Sequence, residues 1–348
     1  MSFSPVFWTS HVGSLPHRSS KGIAEKLIAL LDIPAWPQFP KRSFRESMYV
    51  QYGAGLPNAI VDEEKGKIII DTAADLSGAL ESFYARYLAD DVDSFALRHE
   101  DAEGFYALLD ALRRTQSPWL KGQVTGPVSF GLTVTDQDLR SVLYHDMLAD
   151  VIVKQMAMNA RWQAQQLLAI RPHALIFVDE PYLASYGSAF VNLEREQVIA
   201  MLDEVFEAIH VEGAVAGVHC CGNTDWSLLM ATQVDVLNLD AYDFLDTLAL
   251  YPVELRAFLD RGGVVAWGIV PNTEVIQNDT PESLARKLQS GIELICQKAA
   301  ARGIEIDPAE FFARSLIVPA CGLGPTTVEV AERALRMLKP VAEILRGG

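Results

Sequence analysis

Residues 174–220, ALIFVDEPYLASYGSAFVNLEREQVIAMLDEVFEAIHVEGAVAGVHC, hold one complete repeat of the fold. An apolar run, ALIFVD (174–179), passes through a loop into a segment of helical period over 193–211. The unit closes on a second apolar run, AVAGVHC (214–220). Neither run alternates apolar with polar, as expected of parallel strands covered on both faces. Outward from this unit, similar runs occur at 6–12 (VFWTSHV), 92–97 (VDSFAL), 119–125 (WLKGQVT), 235–240 (DVLNLD), 264–270 (VVAWGIV) and 315–320 (SLIVPA). Further helical stretches fall at 138–170, 280–302 and 326–346. Asp136 or Asp138 is placed to open the first of these. Thr280-Pro281 opens the second as a cap followed by proline at the first helical position. Eight strands alternating with helices predict an α/β chain folded over 1–348 as a single TIM (β/α)8 barrel.

The interval 34–71 is irregular. Pro34, Pro37 and Pro40 precede KRSFRESMYVQYGAGLP, and AIVDEEKGKIII follows, which reads as a hairpin turning at Glu64-Lys65-Gly66. An excursion this long after the first strand reads as a lid or a substrate-shaping insertion.

The chain has 348 residues, 50% of them hydrophobic and 21% charged, which excludes a disordered chain and leaves room for a large core. Forty-five acidic against 29 basic residues give a net charge of −16, unfavourable for binding nucleic acid or anionic membrane. The N-terminus lacks a signal-peptide pattern, and no apolar run approaches the ~18 residues of a membrane span. With four cysteines, this predicts a cytoplasmic protein with reduced thiols. The oligomeric state is left open, a homo-oligomer included.

Barrel chemistry sits at the C-terminal ends of the strands. Those positions here are His11 and Ser14, Thr125 and Gly126, Asp179 and Glu180, His219 and Cys221, Asp240, Asn272, and Cys321. In VHCCGNTDW, side-chain alternation points His219 and Cys221 one way and Cys220 the other. Asp240 lies at the next strand end, and Cys321 reaches the rim from the last. Together His219, Cys221, Asp240 and Cys321 offer a nitrogen, two thiolates and a carboxylate, the ligand types of Zn²⁺. Cys296 reads as a core residue, and His99, His145, His173 and His210 as surface or packing residues. Asp179 and Glu180 stand beside the ligand set, suited to binding an ammonium group or moving a proton, with a helix cap before Pro181 as the structural alternative. Tyr182 and Tyr186 follow on the same loop.

The motifs H-V-G-S-L-P (11–16), V-D-E-P (178–181), H-C-C-G-N (219–223) and A-C-G-L (320–323) resemble the catalytic, C-terminal barrel of cobalamin-independent methionine synthase. They are also similar to the methylcobamide:coenzyme M methyltransferases of the uroporphyrinogen decarboxylase-like superfamily. The resemblance runs in order over nearly the whole chain. It implies zinc on His219, Cys221 and Cys321, with Asp240 where the methionine synthases have a glutamate. It places Val12-Gly13-Ser14 where the family contacts homocysteine. An acidic partner for the substrate ammonium is implied in the interval before the second strand, where Glu46, Asp62, Glu63 and Glu64 are available.

The implied activity is zinc-dependent methyl transfer to a small thiol such as homocysteine or coenzyme M, activated as a zinc-bound thiolate. The methyl donor would be a methylcorrinoid such as methylcobalamin, on a carrier protein, or methyltetrahydrofolate. His11, Gly13, Ser14, Asp179 and Gly126 are then substrate contacts, and Asp179 or Glu180 the catalytic carboxylate. The alternatives are a zinc hydrolase, for which two thiolates make a poorer Lewis acid, and a decarboxylase-like enzyme without metal chemistry. The decarboxylase's arginine-rich N-terminal signature is absent from this chain.

Overall fold

The computed structural model describes residues 3–112, 117–188 and 191–347. Its strands are β1 (Val6–Thr9), β2 (Ala59–Asp62), β3 (Lys67–Ile70), β4 (Trp119–Thr125), β5 (His173–Asp179), β6 (Val215–Cys220), β7 (Val236–Leu239), β8 (Val264–Val270) and β9 (Ser315–Pro319). The helices in chain order are α1 (Ile23–Leu30), α2 (Ser77–Leu88), α3 (Glu103–Leu112), α4 (Pro127–Thr133), α5 (Asp146–Leu168) and α6 (Arg195–Val211). They continue with α7 (Trp226–Ala231), α8 (Ala241–Phe244), α9 (Pro252–Asp260), α10 (Pro281–Ala300), α11 (Pro308–Ala313) and α12 (Val328–Gly347). Among the described residues no helix is long and apolar enough to cross a membrane.

Seven strands form one parallel sheet in the order β1-β9-β8-β7-β6-β5-β4. Alternation along each strand divides the core in two. Leu175 and Phe177 of β5 pack inward with Val236, Val264, Leu316 and Val318, while Ala174, Ile176 and Val178 join the larger cluster under the helices. This is the double burial that the unbroken apolar runs call for.

The sequence places a strand at 92–97, and the structure corrects this. Residues Val92–Phe95 form a 3₁₀ turn. Their buried side chains, Val92 and Phe95, are three apart, which is the spacing of one such turn rather than of a strand. The stretch between the two edge strands is instead 33–39. Ile33 N–H donates to Thr9 O (2.9 Å), and Lys121 N–H donates to Pro34 O (3.0 Å). Trp36 N–H donates to Lys121 O (3.2 Å), and Gln38 N–H to Gly13 O (3.1 Å). Pro34 and Pro37 occupy the positions from which no N–H is required, so two prolines fit between the edge strands. The first residues of the predicted 34–71 excursion are therefore hydrogen-bonded to both edges of the sheet.

The hairpin within that excursion forms as read, with Asp62 opposite Lys67 across the turn. Asp136 and Asp138 do not open a helix. Asp136 Oδ1 caps a turn by accepting from Asp138 N–H (2.8 Å) and Arg140 N–H (2.9 Å), and α5 begins ten residues after Asp136 at Asp146. The other helix readings hold, including the Thr280 cap, whose side chain accepts from Ser283 N–H at the start of α10.

Candidate metal centre

Register builds the site. Across four neighbouring strands Thr125, Asp179, His219 and Asn238 pair in one row. Side chains in one row of a parallel sheet share a height and a face, so β4 to β7 deliver these groups to the same level of the barrel. Cys221 follows His219 by two residues, and Cys321 arrives from the end of β9. The nitrogen of His219 and the sulfurs of Cys221 and Cys321 that face this point lie within 4.8 Å of one another.

The amide of Asn238 fixes how His219 is presented. Asn238 Nδ2 donates to Ala266 O (2.8 Å), which orients Oδ1 towards His219 Nδ1 at 2.7 Å. Asn238 thus accepts from His219 Nδ1–H, which leaves Nε2 for the cysteine side. Nε2 is buried and makes no hydrogen bond. A buried imidazole nitrogen without a partner, facing two thiols, fits a thiophilic metal such as zinc.

The cysteines differ sharply. The Cys221 thiol is pulled down to about 4, first by its contact with Cys321 and then by His219. Cys321 moves the other way, since the shared proton stays with it. One of these two sulfurs is thus a thiolate at neutral pH. Burial pushes Cys220, on the opposite face of β6, up to about 12, and Cys296 in α10 up to about 11.

A cleft of about 430 Å³ opens over this group, lined by Val12, Ser14, Gln38, Glu46, Met48, Tyr49, Asp179, Pro181, His219, Cys221 and Cys321 among others. The two carboxylates of V-D-E-P part company here. Asp179 lines the cleft, with a buried Oδ1 that makes no hydrogen bond. Burial raises its carboxyl to about 6 against the pull of His219 and Lys121. Glu180 turns away and is fully buried. It accepts from Val128 N–H (2.9 Å), Ser129 N–H (2.8 Å) and Ser129 Oγ (2.6 Å) at the start of α4. It caps α4 and makes no side-chain hydrogen bond to the turn that starts at Pro181, the cap that the sequence offers as its alternative role.

The remaining expected residues fall in several places. His11 is fully buried beneath the 33–39 segment, with Nε2 3.2 Å from Ala35 O. Burial, then Lys121, hold its pKa down to about 3, so it is a neutral packing histidine. Gly13 (φ +155°) makes a close approach, since a Cβ there would lie 2.9 Å from the side chains of Gln38 and Gln123. Gly126 leaves room for the Glu180 carboxyl rather than for a ligand. Asp240 lies outside the 4.8 Å group, and its Oδ1 caps α8 by accepting from Tyr242 N–H (2.9 Å) and Asp243 N–H (3.0 Å). Of the acidic residues in the excursion, Glu46 reaches the cleft wall, buried and bonded to Phe39 N–H (2.9 Å) and Arg42 Nε (2.5 Å). Asp62, Glu63 and Glu64 sit at the hairpin turn.

Two groups escaped the sequence reading. Asn238 lies in β7 two residues before Asp240, a period-2 signal that is legible in the run 235–240. Lys121 gave no signal. It is buried in the barrel, donating to Val12 O (2.6 Å) and standing over the Phe177 ring at 4.4 Å.

No protein-family model and no curated protein matches the chain. Solved structures do. A B12-independent methionine synthase from Shewanella sp. W3-18-1, in complex with selenomethionine, aligns over 97% of both chains with a TM-score of 0.55 at 16% identity. A putative vitamin-B12-independent methionine synthase from Listeria monocytogenes aligns over 99% of both chains with a TM-score of 0.60 at 14% identity. At these identities the likeness is one of fold, and it is the fold that the strand-end motifs imply.

Proposed function

We propose that this protein is a zinc-dependent methyltransferase that moves a methyl group onto the sulfur of a small thiol. The observation carrying the proposal is the convergence of His219, Cys221 and Cys321 within 4.8 Å at the floor of a cleft, with His219 Nε2 buried and unbonded. These three residues would hold the metal. Zinc bound there supplies the charge that keeps a thiol deprotonated at neutral pH, while two cysteine ligands keep its Lewis acidity too modest for a hydrolase.

The chain's own groups do the rest. Asn238 orients His219. Asp179, a carboxylate that lines the cleft, is placed to receive an ammonium group, which favours an amino-acid thiol such as homocysteine over coenzyme M. The selenomethionine of the Shewanella structure is in keeping with that class of product. Glu46 also lines the cleft, but both of its carboxylate oxygens are engaged by Phe39 N–H and Arg42. The cleft, at about 430 Å³, cannot enclose a corrinoid beside the thiol. The donor is therefore proposed to be a methylcorrinoid presented at the mouth by a carrier protein, with methyltetrahydrofolate as the alternative.

The test is the zinc content of the purified protein and of Cys221→Ser and Cys321→Ser, then titration of the cobalt-substituted protein with homocysteine and coenzyme M. Near one metal per chain, lost in both variants, and a spectral shift with homocysteine are expected. Metal-free protein whose stability is unaltered in both variants would refute the proposal. Turnover with methylcobalamin against methyltetrahydrofolate then separates the donors.

A further inference from the structure

The loop carrying Cys321 leaves β9 as Ala320-Cys321-Gly322-Leu323-Gly324-Pro325, and it is fastened to the loop after β1. Ser14 Oγ accepts from Gly324 N–H at 3.1 Å, and Leu323 N–H donates to Ser14 O at 3.0 Å. A Cβ at Gly322 would overlap Ser14 Oγ. One at Gly324 would come within 3.0 Å of Ser14 Oγ and 2.9 Å of Pro40 Cγ. The two glycines after Cys321 are thus the space in which Ser14 sits. Gly324 does not have a positive φ, so close approach rather than backbone freedom accounts for it. On its other side the Ser14 loop is anchored to the barrel interior by Lys121 Nζ on Val12 O. Asn272 Nδ2 adds a weaker hold on the Cys321 loop, donating to Gly322 O at 3.4 Å.

We propose that Ser14 is a positioning residue of the metal centre, a latch between the first and last strand-end loops that holds Cys321 Sγ at the point where Cys221 and His219 converge. This goes beyond the substrate contact that the motif resemblance implies for Ser14, and it rests on the metal reading of the three residues. Cys321 is the one ligand of the three that comes from a different part of the barrel. His219 and Cys221 share β6 and its end, so their spacing is local. The distance from Cys321 to that pair depends on how the last loop is tied down. A ligand left on a loose loop has to be ordered when the metal binds, and that ordering entropy is subtracted from affinity.

The experiment uses Ser14→Ala, which removes the acceptor, and Gly324→Ala, which crowds the latch from the opposite side while leaving Ser14 in the sequence. Co²⁺ affinity is measured by competition with a chromophoric chelator, and the thiolate-to-cobalt charge-transfer band is read per bound cobalt. Melting of the metal-free proteins checks folding, and two variants guard against a folding failure in one. Both are expected to bind Co²⁺ about 10- to 100-fold more weakly than the parent chain, with a reduced band. Parental affinity and band in both variants would overturn the latch. So would a Ser14→Ala protein in which only the thiol-induced shift is weakened, since Ser14 would then be a substrate contact alone. A parent chain that takes up no Co²⁺ would overturn the latch together with the proposed function.

Discussion

His219 Nδ1 and Asn238 Oδ1 lie 2.7 Å apart, and the second bond of Asn238, to Ala266 O, leaves the amide one orientation. A side chain on one strand thereby decides which imidazole nitrogen of its neighbour is free. Asn238→Leu should lower metal affinity about 10- to 100-fold, while Asn238→Asp, which still accepts from Nδ1–H, should keep most of it. Chelator competition measures both. Equal loss in the two variants would mean that Asn238 acts through packing alone.

The contrast among the cysteines predicts selective alkylation. In metal-free protein at pH 7, iodoacetamide should modify Cys221 well ahead of Cys220 and Cys296, because thiolate is the reactive form. Zinc should protect Cys221. Peptide mass mapping over time reads the order, and preferential labelling of Cys220 would contradict the assigned facing of β6.

Glu180 should reveal itself through pH. Burial raises its carboxyl in the folded protein from the ordinary 4.5 to about 7, despite the three hydrogen bonds it accepts. The folded state therefore binds this proton more tightly than the unfolded state does. Its contribution is complete below about pH 4.5 and is lost as the pH rises through about 7. Urea unfolding should show the stability advantage of the parent chain over Glu180→Gln shrinking across that window. A difference that grows with pH would contradict the raised carboxyl. Because Glu180 makes no wall of the cleft, Glu180→Gln should keep its metal.

Gly104, in α3, faces the carbonyl of Pro37, which a Cβ would overlap. Helix propensity alone favours Gly104→Ala by about 1 kcal/mol. The contact with the 33–39 segment should reverse that sign, costing about 1–3 kcal/mol through overpacking. Equilibrium unfolding decides between the two, and a stabilised variant would show that the segment yields freely.

Elements whose burial is periodic were readable from the chain. β5, β6, β8 and β9 are apolar on both faces because both faces are covered, and α6, α10 and α12 lie where their period places them. The 33–39 segment was not readable, because the cue for a strand is its residue types and here two of seven are proline. Only the positions of Thr9, Gly13 and Lys121 show that the missing N–H groups are not needed. The error at 92–97 has the same root, since apolar residues three apart suit a turn when a helix packs against them.

The sequence by itself determined the alternation of strand and helix, the strand-end residues, and the pairing of His219 with Cys221, all of which follow from local spacing. Tertiary structure decided the rest. It separated Asp179 from Glu180, turned His11 and Gly126 to packing, gave Asp240 a helix to cap, and tied the Cys321 loop, through Gly324, to Ser14 across 310 residues. The physical reason is that a side chain's direction follows from backbone geometry within a few residues. What it meets there is set by register between strands and by which neighbour fills the space first.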